Sequence, residues 1–184
     1  STVDVTENGY HFRIDITTGQ KTGFFIDQRD NRLLLTRYTN GKSVLNMFSY
    51  TGGFSVYALG GGATCVHSVD SSAQAIGLTD INVELNGGGG DRHRSFQTDA
   101  FAYMNNINDA YDVIVLDPRA FAKHQDALNN ALQGYKRLNA KAIEQIRSGG
   151  ILFTFSCSQV VSKENFRKSV FAAAANTGRH VRIL

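Results

Sequence analysis

The sequence predicts an α/β fold: a doubly wound, mostly parallel sheet preceded by an N-terminal β-hairpin. Three observations predict it. From Val44 onward, apolar strand-like runs alternate with helix-like runs, the pattern that yields parallel strands joined by right-handed crossovers. Within that pattern the run VLNMF breaks into a small-residue turn, SYTGG, and FSVYAL follows with helical character. Four chemically capable side chains, Asp70, Asp99, Asp117 and Cys157, stand at the ends of four successive strand-like runs. Ligands of such sheets bind outside the carboxyl ends of the strands.

The bulk numbers agree with one domain. The 184 residues suffice for a sizeable core, and 42% of them are hydrophobic. No apolar run reaches the ~18 residues of a membrane span, and the first residues lack the basic-then-apolar pattern of a signal peptide. Cys65 and Cys157 lie far apart and suggest neither a disulfide framework nor a zinc site. A cytoplasmic location is the expectation. The net charge of +3 allows a polyanionic partner without demanding one.

Taken in order, VDVTE and YHFRIDI alternate and meet at Asn8-Gly9, a hairpin signal. Asp27 is placed to cap a helix from Gln28 to Tyr38, with Asn40-Gly41 closing it. Residues 1–40 are thus expected to be a hairpin and helix leading into a domain over 41–184. There the strand at 44–48 leads to a helix at 54–60. The strand Thr64–Val69 leads to a helix from Ser72 to Leu85. The strand near Ser95–Thr98 leads to a short helix, and the near-continuous apolar strand Tyr111–Leu116 is expected where both faces are covered. A long helix over 126–147 carries the stripe Leu128, Leu132, Tyr135, Leu138, Ala142 and Ile146. ILFTFS, a helix over 163–176 and a last strand, HVRIL, complete the chain.

The candidate site residues each have two readings. Asp70, about 20 residues beyond the glycine turn, can accept hydrogen bonds from ribose hydroxyls or cap the next helix. Asp99 can face an adenine amino group or cap a helix. Asp117, before the chain's one proline, can receive an N–H from a substrate ring or be an ordinary strand-end acid. Cys157, between two serines on the ligand side, can be a nucleophile or a packed thiol. The turn does not match G-x-G-x-x-G, which weighs against a dinucleotide site.

Several stretches together, GQKTGFFIDQRDNR, VLNMFSYTGGFSVYA, HSVDSS, YDVIVLDP with AF, GYKRLN and GGILFTFSCS, resemble one group of class I methyltransferases that use S-adenosylmethionine. The group is similar to the bacterial 23S rRNA cytosine-C5 methyltransferases that carry an N-terminal PUA domain. The resemblance runs from Gly19 nearly to the end of the chain. It implies a Rossmann-like class I fold. It implies that the turn residues Ser49, Tyr50, Thr51 and Gly52, with Asp70, hold the methionine and ribose parts of the cofactor. Asp99 would neighbour adenine, and Phe48, Ser71, Ala100 and Asp117 would complete the cofactor contacts. Asp117 would also face the target base, and Cys157 would be the nucleophile. The implied partner is 23S rRNA with an unpaired or flipped cytosine, and a homodimer is a further partner expectation. Lys21, Arg29, Arg32, Lys123 and Lys136 are candidates to lie along RNA phosphates; unchanged salt dependence after their substitution would count against that.

Two departures matter. The family's DPPAF is DPRAF here, so Arg119 brings a long cation to the loop. No PUA domain is present, and six strands are expected after the hairpin where the family has seven, which predicts a piece of a longer protein. Two other readings stand beside the leading one: methylation of an exocyclic amino group, which would leave Cys157 idle, and a catalytically impaired module that binds cofactor and RNA.

Overall fold

The computed structural model describes residues 1–17, 23–108 and 110–184. Lys21, and the GQKT start of the first family stretch, lie outside them. β1 (Thr2–Glu7) and β2 (Tyr10–Asp15) pair antiparallel from Thr2↔Asp15 to Glu7↔Tyr10. Asn8 and Gly9 turn the hairpin at φ 50° and 84°, the left-handed pair that a tight two-residue loop requires. Phe12 and Ile14 point inward from β2 and join the main core.

α1 (Arg29–Leu35) lies between two single 3-10 turns, Ile26–Gln28 and Thr36–Tyr38. Asp27 does not cap it, contrary to expectation. The 3-10 turn occupies Asp27, the cap position falls to Gln28, and no side-chain cap bond forms. Backbone carbonyls serve the first amides instead: Gln28 N–H donates to Phe25 O and Arg29 N–H to Ile26 O.

The central sheet contains β3 (Ser43–Met47), β4 (Cys65–Asp70), β5 (His93–Gln97), β6 (Val113–Leu116) and β7 (Ile151–Thr154). All neighbours are parallel, in the order β5-β4-β3-β6-β7. α2 (Gly53–Gly60), α3 (Ala73–Leu85), α4 (Ala100–Met104), α5 (Leu128–Gln145) and α6 (Lys163–Thr177) connect and cover it. Alternate strand residues split the core. Val44, Val66, Val113 and Val115 face α2, α1 and the hairpin, while Leu45, Met47, Val69, Ile114 and Leu116 face α4 and α5. The winding reverses between β3 and β6, which opens a crevice at their carboxyl ends.

Among the described residues five parallel strands are formed, not six. Residues 180–184 are not a strand, and Val181, Ile183 and Leu184 are 49%, 54% and 86% exposed. An alternating pattern makes a strand only where an edge accepts its ladder. Here α6 ends at Gly178 in the left-handed region (φ 66°), and Arg179 donates to the carbonyls of Ile143 (2.7 Å) and Ile146 (2.6 Å). The chain is thereby anchored at the end of α5 rather than along β7.

Candidate functional site

The turn after β3 has a constrained backbone. Phe48, Tyr50 and Gly52 all have positive φ (60°, 48° and 75°), a conformation that side chains other than glycine seldom adopt. Neighbouring groups impose it. Ser49 N–H donates to Val69 O (3.0 Å), Tyr50 N–H to Asp70 Oδ2 (3.1 Å) and Gly52 N–H to Ser49 O (2.7 Å). From α3, the Thr79 hydroxyl donates to Tyr50 O (3.0 Å) and Asn82 Nδ2 to Thr51 O (2.8 Å). Gly52 has a second reason to be glycine: a Cβ there would stand 2.9 Å from Thr79 Cγ2 and 3.0 Å from its Cα.

Asp70 ends β4 and also accepts the Ser72 N–H (2.9 Å). It therefore ties the turn to the start of α3, while the cap itself is the Ser72 hydroxyl, which accepts Ala75 N–H. Asp117 follows β6 and accepts Gln28 Nε2 (3.3 Å), from a side chain that is itself buried. Cys157 follows β7, half-buried, and its Sγ–H donates to Pro118 O (3.4 Å).

These groups share one cleft of about 310 Å³, within the range of small-molecule sites. Its floor is Phe48, Ser49, Tyr50 and Thr51 with the first residues of α2, and its walls carry Asp70, Ser71, Asp117, Pro118, Arg119 and Cys157. Phe25, Asp27, Gln28 and Arg32 close the remaining side. Gly52, Asp99 and Ala100 are not among the lining residues. Gly52 is packed behind the turn on Thr79, and Asp99 is exposed and caps α4 by accepting Ala102 N–H (2.9 Å).

In the N-terminal wall, the sequence marks neither Phe25 nor Gln28 as a site residue. Phe25 meets Tyr50 edge-on (5.6 Å), and Gln28 reaches Asp117; both lie in the FFIDQ stretch, the one signal that could have marked them. Arg32 needs a correction. It is 3% exposed and paired through Nε and Nη2 with Glu7 Oε1 (2.9 Å) and Oε2 (2.8 Å), it donates to Phe25 O, and it stacks on Phe24. A guanidinium buried and ion-paired in this way cannot reach out to an RNA phosphate. Its partner network extends to Tyr57, whose hydroxyl donates to Glu7 Oε1 (2.9 Å); burial, then Glu7, pushes the Tyr57 phenol up to about 12.

The residues present suit an adenosyl cofactor. A half-buried carboxylate, Asp70, lines the same cleft as the turn after β3 and the first residues of α2, so an acceptor for hydroxyls and a helix N-terminus face one space. The model of the S-adenosylmethionine-dependent methyltransferase family matches residues 1–180. The chain belongs to that family. S-adenosylmethionine is the cofactor this membership supplies. Two curated relatives, both called ribosomal RNA large subunit methyltransferase I, are each 43% identical. The one from Aeromonas salmonicida matches over 99% of this chain and 47% of its own length. The one from Klebsiella pneumoniae matches over 98% and 46%. The chain thus spans about half the length of these relatives. Among solved structures, SMU.776 complexed with SAH superposes with a TM-score of 0.83 at 29% identity, over 94% of this chain and 46% of that one. The methyltransferase family is thus shared by sequence and by fold.

Proposed function

We propose that this chain is the catalytic part of an rRNA methyltransferase that modifies carbon 5 of a cytosine in 23S rRNA through a cysteine adduct. The observation that carries the reading is the common cleft of Asp70, Asp117 and Cys157, with the thiol against the Pro118 carbonyl. The names of the curated relatives support the rRNA substrate.

In this reading Ser49, Tyr50, Thr51, Asp70 and Ser71, with Phe48, hold the cofactor, and Gly52 lets the turn close. Asp99 and Ala100 bound its adenine end. When bound, S-adenosylmethionine supplies the electrophilic methyl that carbon 5 takes up. Cytosine carbon 5 is a poor nucleophile. The Cys157 thiolate adds to carbon 6, which makes carbon 5 enamine-like. Asp117 steadies the base as charge moves to its ring nitrogen. Loss of the carbon 5 proton then expels the thiolate and restores the aromatic ring. The base must leave its stack to present its face. Arg29, Arg119 and Lys123 are exposed, and Arg119 borders the cleft, so these cations serve the RNA phosphates; Lys136 is half-buried. Residues 1–40 act as a lead-in that walls the cleft of the 41–184 domain. A cytoplasmic location and self-association complete the proposal; no helix among the described residues is long and apolar enough to cross a membrane.

The test is methyl transfer from labelled cofactor to unmodified 23S rRNA, with nucleoside analysis of the product. Cys157→Ala is expected to abolish transfer while leaving cofactor binding intact, and Asp117→Asn to lower turnover by roughly 100-fold or more. Arg119→Ala should flatten the salt dependence of RNA binding. Transfer that survives Cys157→Ala, or a methyl group found on an exocyclic nitrogen, would overturn the cysteine-adduct reading.

A further inference from the structure

Cys157 stands between Ser156 and Ser158, and both serines are held by one side chain from another element. Tyr135 lies on α5, fully buried, and its hydroxyl meets the two of them. Ser156 Oγ–H donates to the Tyr135 hydroxyl (2.9 Å). The same phenol shares a hydrogen bond of 3.0 Å with the Ser158 hydroxyl. The backbone closes the loop: Ser158 N–H donates to Ser156 Oγ (3.3 Å). Ser158 Oγ also accepts Ala122 N–H (3.3 Å), from the segment that follows Asp117 and Pro118. The three hydroxyls thus form one hydrogen-bonded cluster, in which each helps to fix the others.

We propose that Tyr135 is a positioning residue for the reaction: its hydroxyl clamps both neighbours of Cys157 and so sets where the thiol stands against the Asp117–Pro118 loop. The inference rests on the reading of Cys157 as the nucleophile. The clamp spans three elements. α5 supplies Tyr135, the segment after β7 supplies the serines, and the segment after β6 supplies Ala122 N–H and the Pro118 carbonyl that receives the thiol. Without the phenol hydroxyl, Ser156 loses its acceptor and Ser158 a hydrogen-bond partner, and the two loops keep fewer ties at the point where thiol and carboxylate must meet one base. The ring is held separately, packed on Phe121 (4.5 Å) and edge-on to Phe166 (5.2 Å), so its packing and the hydroxyl's role can be parted by one substitution.

Tyr135→Phe keeps the ring and removes the clamp. It is expected to lower kcat by about 10- to 100-fold, the scale of a misplaced reacting group, with KM for RNA and cofactor affinity changed less than about twofold. Alkylation of Cys157 by iodoacetamide, followed by mass spectrometry with Cys65 as internal reference, should speed up severalfold in the variant. In a Ser156→Ala/Ser158→Ala background, Tyr135→Phe should add little, because its effect passes through the serines. Unchanged kcat and unchanged Cys157 alkylation in Tyr135→Phe would overturn the inference, as would full additivity with the serine changes. Cys157→Ala on the same assay separates the two readings. An active Cys157→Ala removes the nucleophile and this inference with it; an inactive one beside a fully active Tyr135→Phe removes the clamp alone.

Discussion

At the scale of single residues, the site depends on backbone that few side chains tolerate. Gly52→Ala would place a methyl group against Thr79 while forcing alanine to φ 75°. The expected cost is roughly 2–4 kcal/mol of stability, from strain and overpacking together. Cofactor affinity should fall with it, because Thr79 also holds Tyr50 O and Ser49. Denaturant unfolding and calorimetric titration with S-adenosylmethionine check both parts, and a variant of full stability would mean that the turn yields. Neighbouring Phe48 and Tyr50 bear positive φ without being glycine, and no sequence rule marks them. They are legible only once the bonds from Asp70, Thr79 and Asn82 are seen.

At the scale of elements, the hairpin is joined to the sheet domain by α3 as much as by hydrophobic packing. Asn82 and Asn86, one helical turn apart, act as a surrogate strand. Asn82 Oδ1 accepts Arg13 N–H (2.6 Å) and its Nδ2 donates to Arg13 O (3.1 Å). Asn86 does the same for His11, accepting its N–H at 2.9 Å and donating to its carbonyl at 2.7 Å. The free edge of β2 is thus satisfied by side chains. Because Asn82 also holds Thr51 O, the hairpin and the cofactor turn share one buried amide. Asn82→Ala strands three backbone groups and should cost roughly 2–4 kcal/mol, whereas Asn86→Ala, which is more exposed, should cost about 1 kcal/mol. Hydrogen exchange at Arg13 N–H should quicken in the first variant; unchanged protection there would refute the coupling. Nothing in the sequence marks the two asparagines, since their partners lie about 70 residues away.

At the scale of the whole molecule, two half-buried imidazoles tie stability to pH. Burial, then Arg94, holds the His67 pKa below its ordinary value. Burial lowers His93 as well, against partial opposition from Asp80 and Glu84. His67 Nδ1 meets the Tyr111 hydroxyl at 2.6 Å, and His93 Nε2 meets Ser68 Oγ at 2.8 Å. An unfolded chain takes up protons on these groups below about pH 6.5, before the native protein does. The unfolded state then binds more protons, so stability is fully present above that pH and declines as pH falls below it. The urea midpoint should drop between pH 7.5 and 5.5, and the paired substitution His67→Gln and His93→Gln should flatten that slope. A midpoint that stays level in the unsubstituted protein would refute the assignment.

The sequence by itself determined the α/β class, the order of the five strands along the chain, the hairpin and the cluster of capable side chains at strand ends. These follow from hydrophobic periodicity and turn chemistry, which are local. Only the tertiary structure decided the rest. HVRIL alternates like a strand yet finds no ladder, because Arg179 secures that segment to α5. Arg32, in the sequence a candidate to lie along RNA phosphates, is buried, because Glu7, 25 positions earlier, folds back to meet it. Gln28 meets the Asp117 carboxylate, and Tyr135 meets the serines on either side of Cys157, pairings that the sequence does not mark. Pairings across such distances depend on how the layers pack, and local residue patterns carry no information about that.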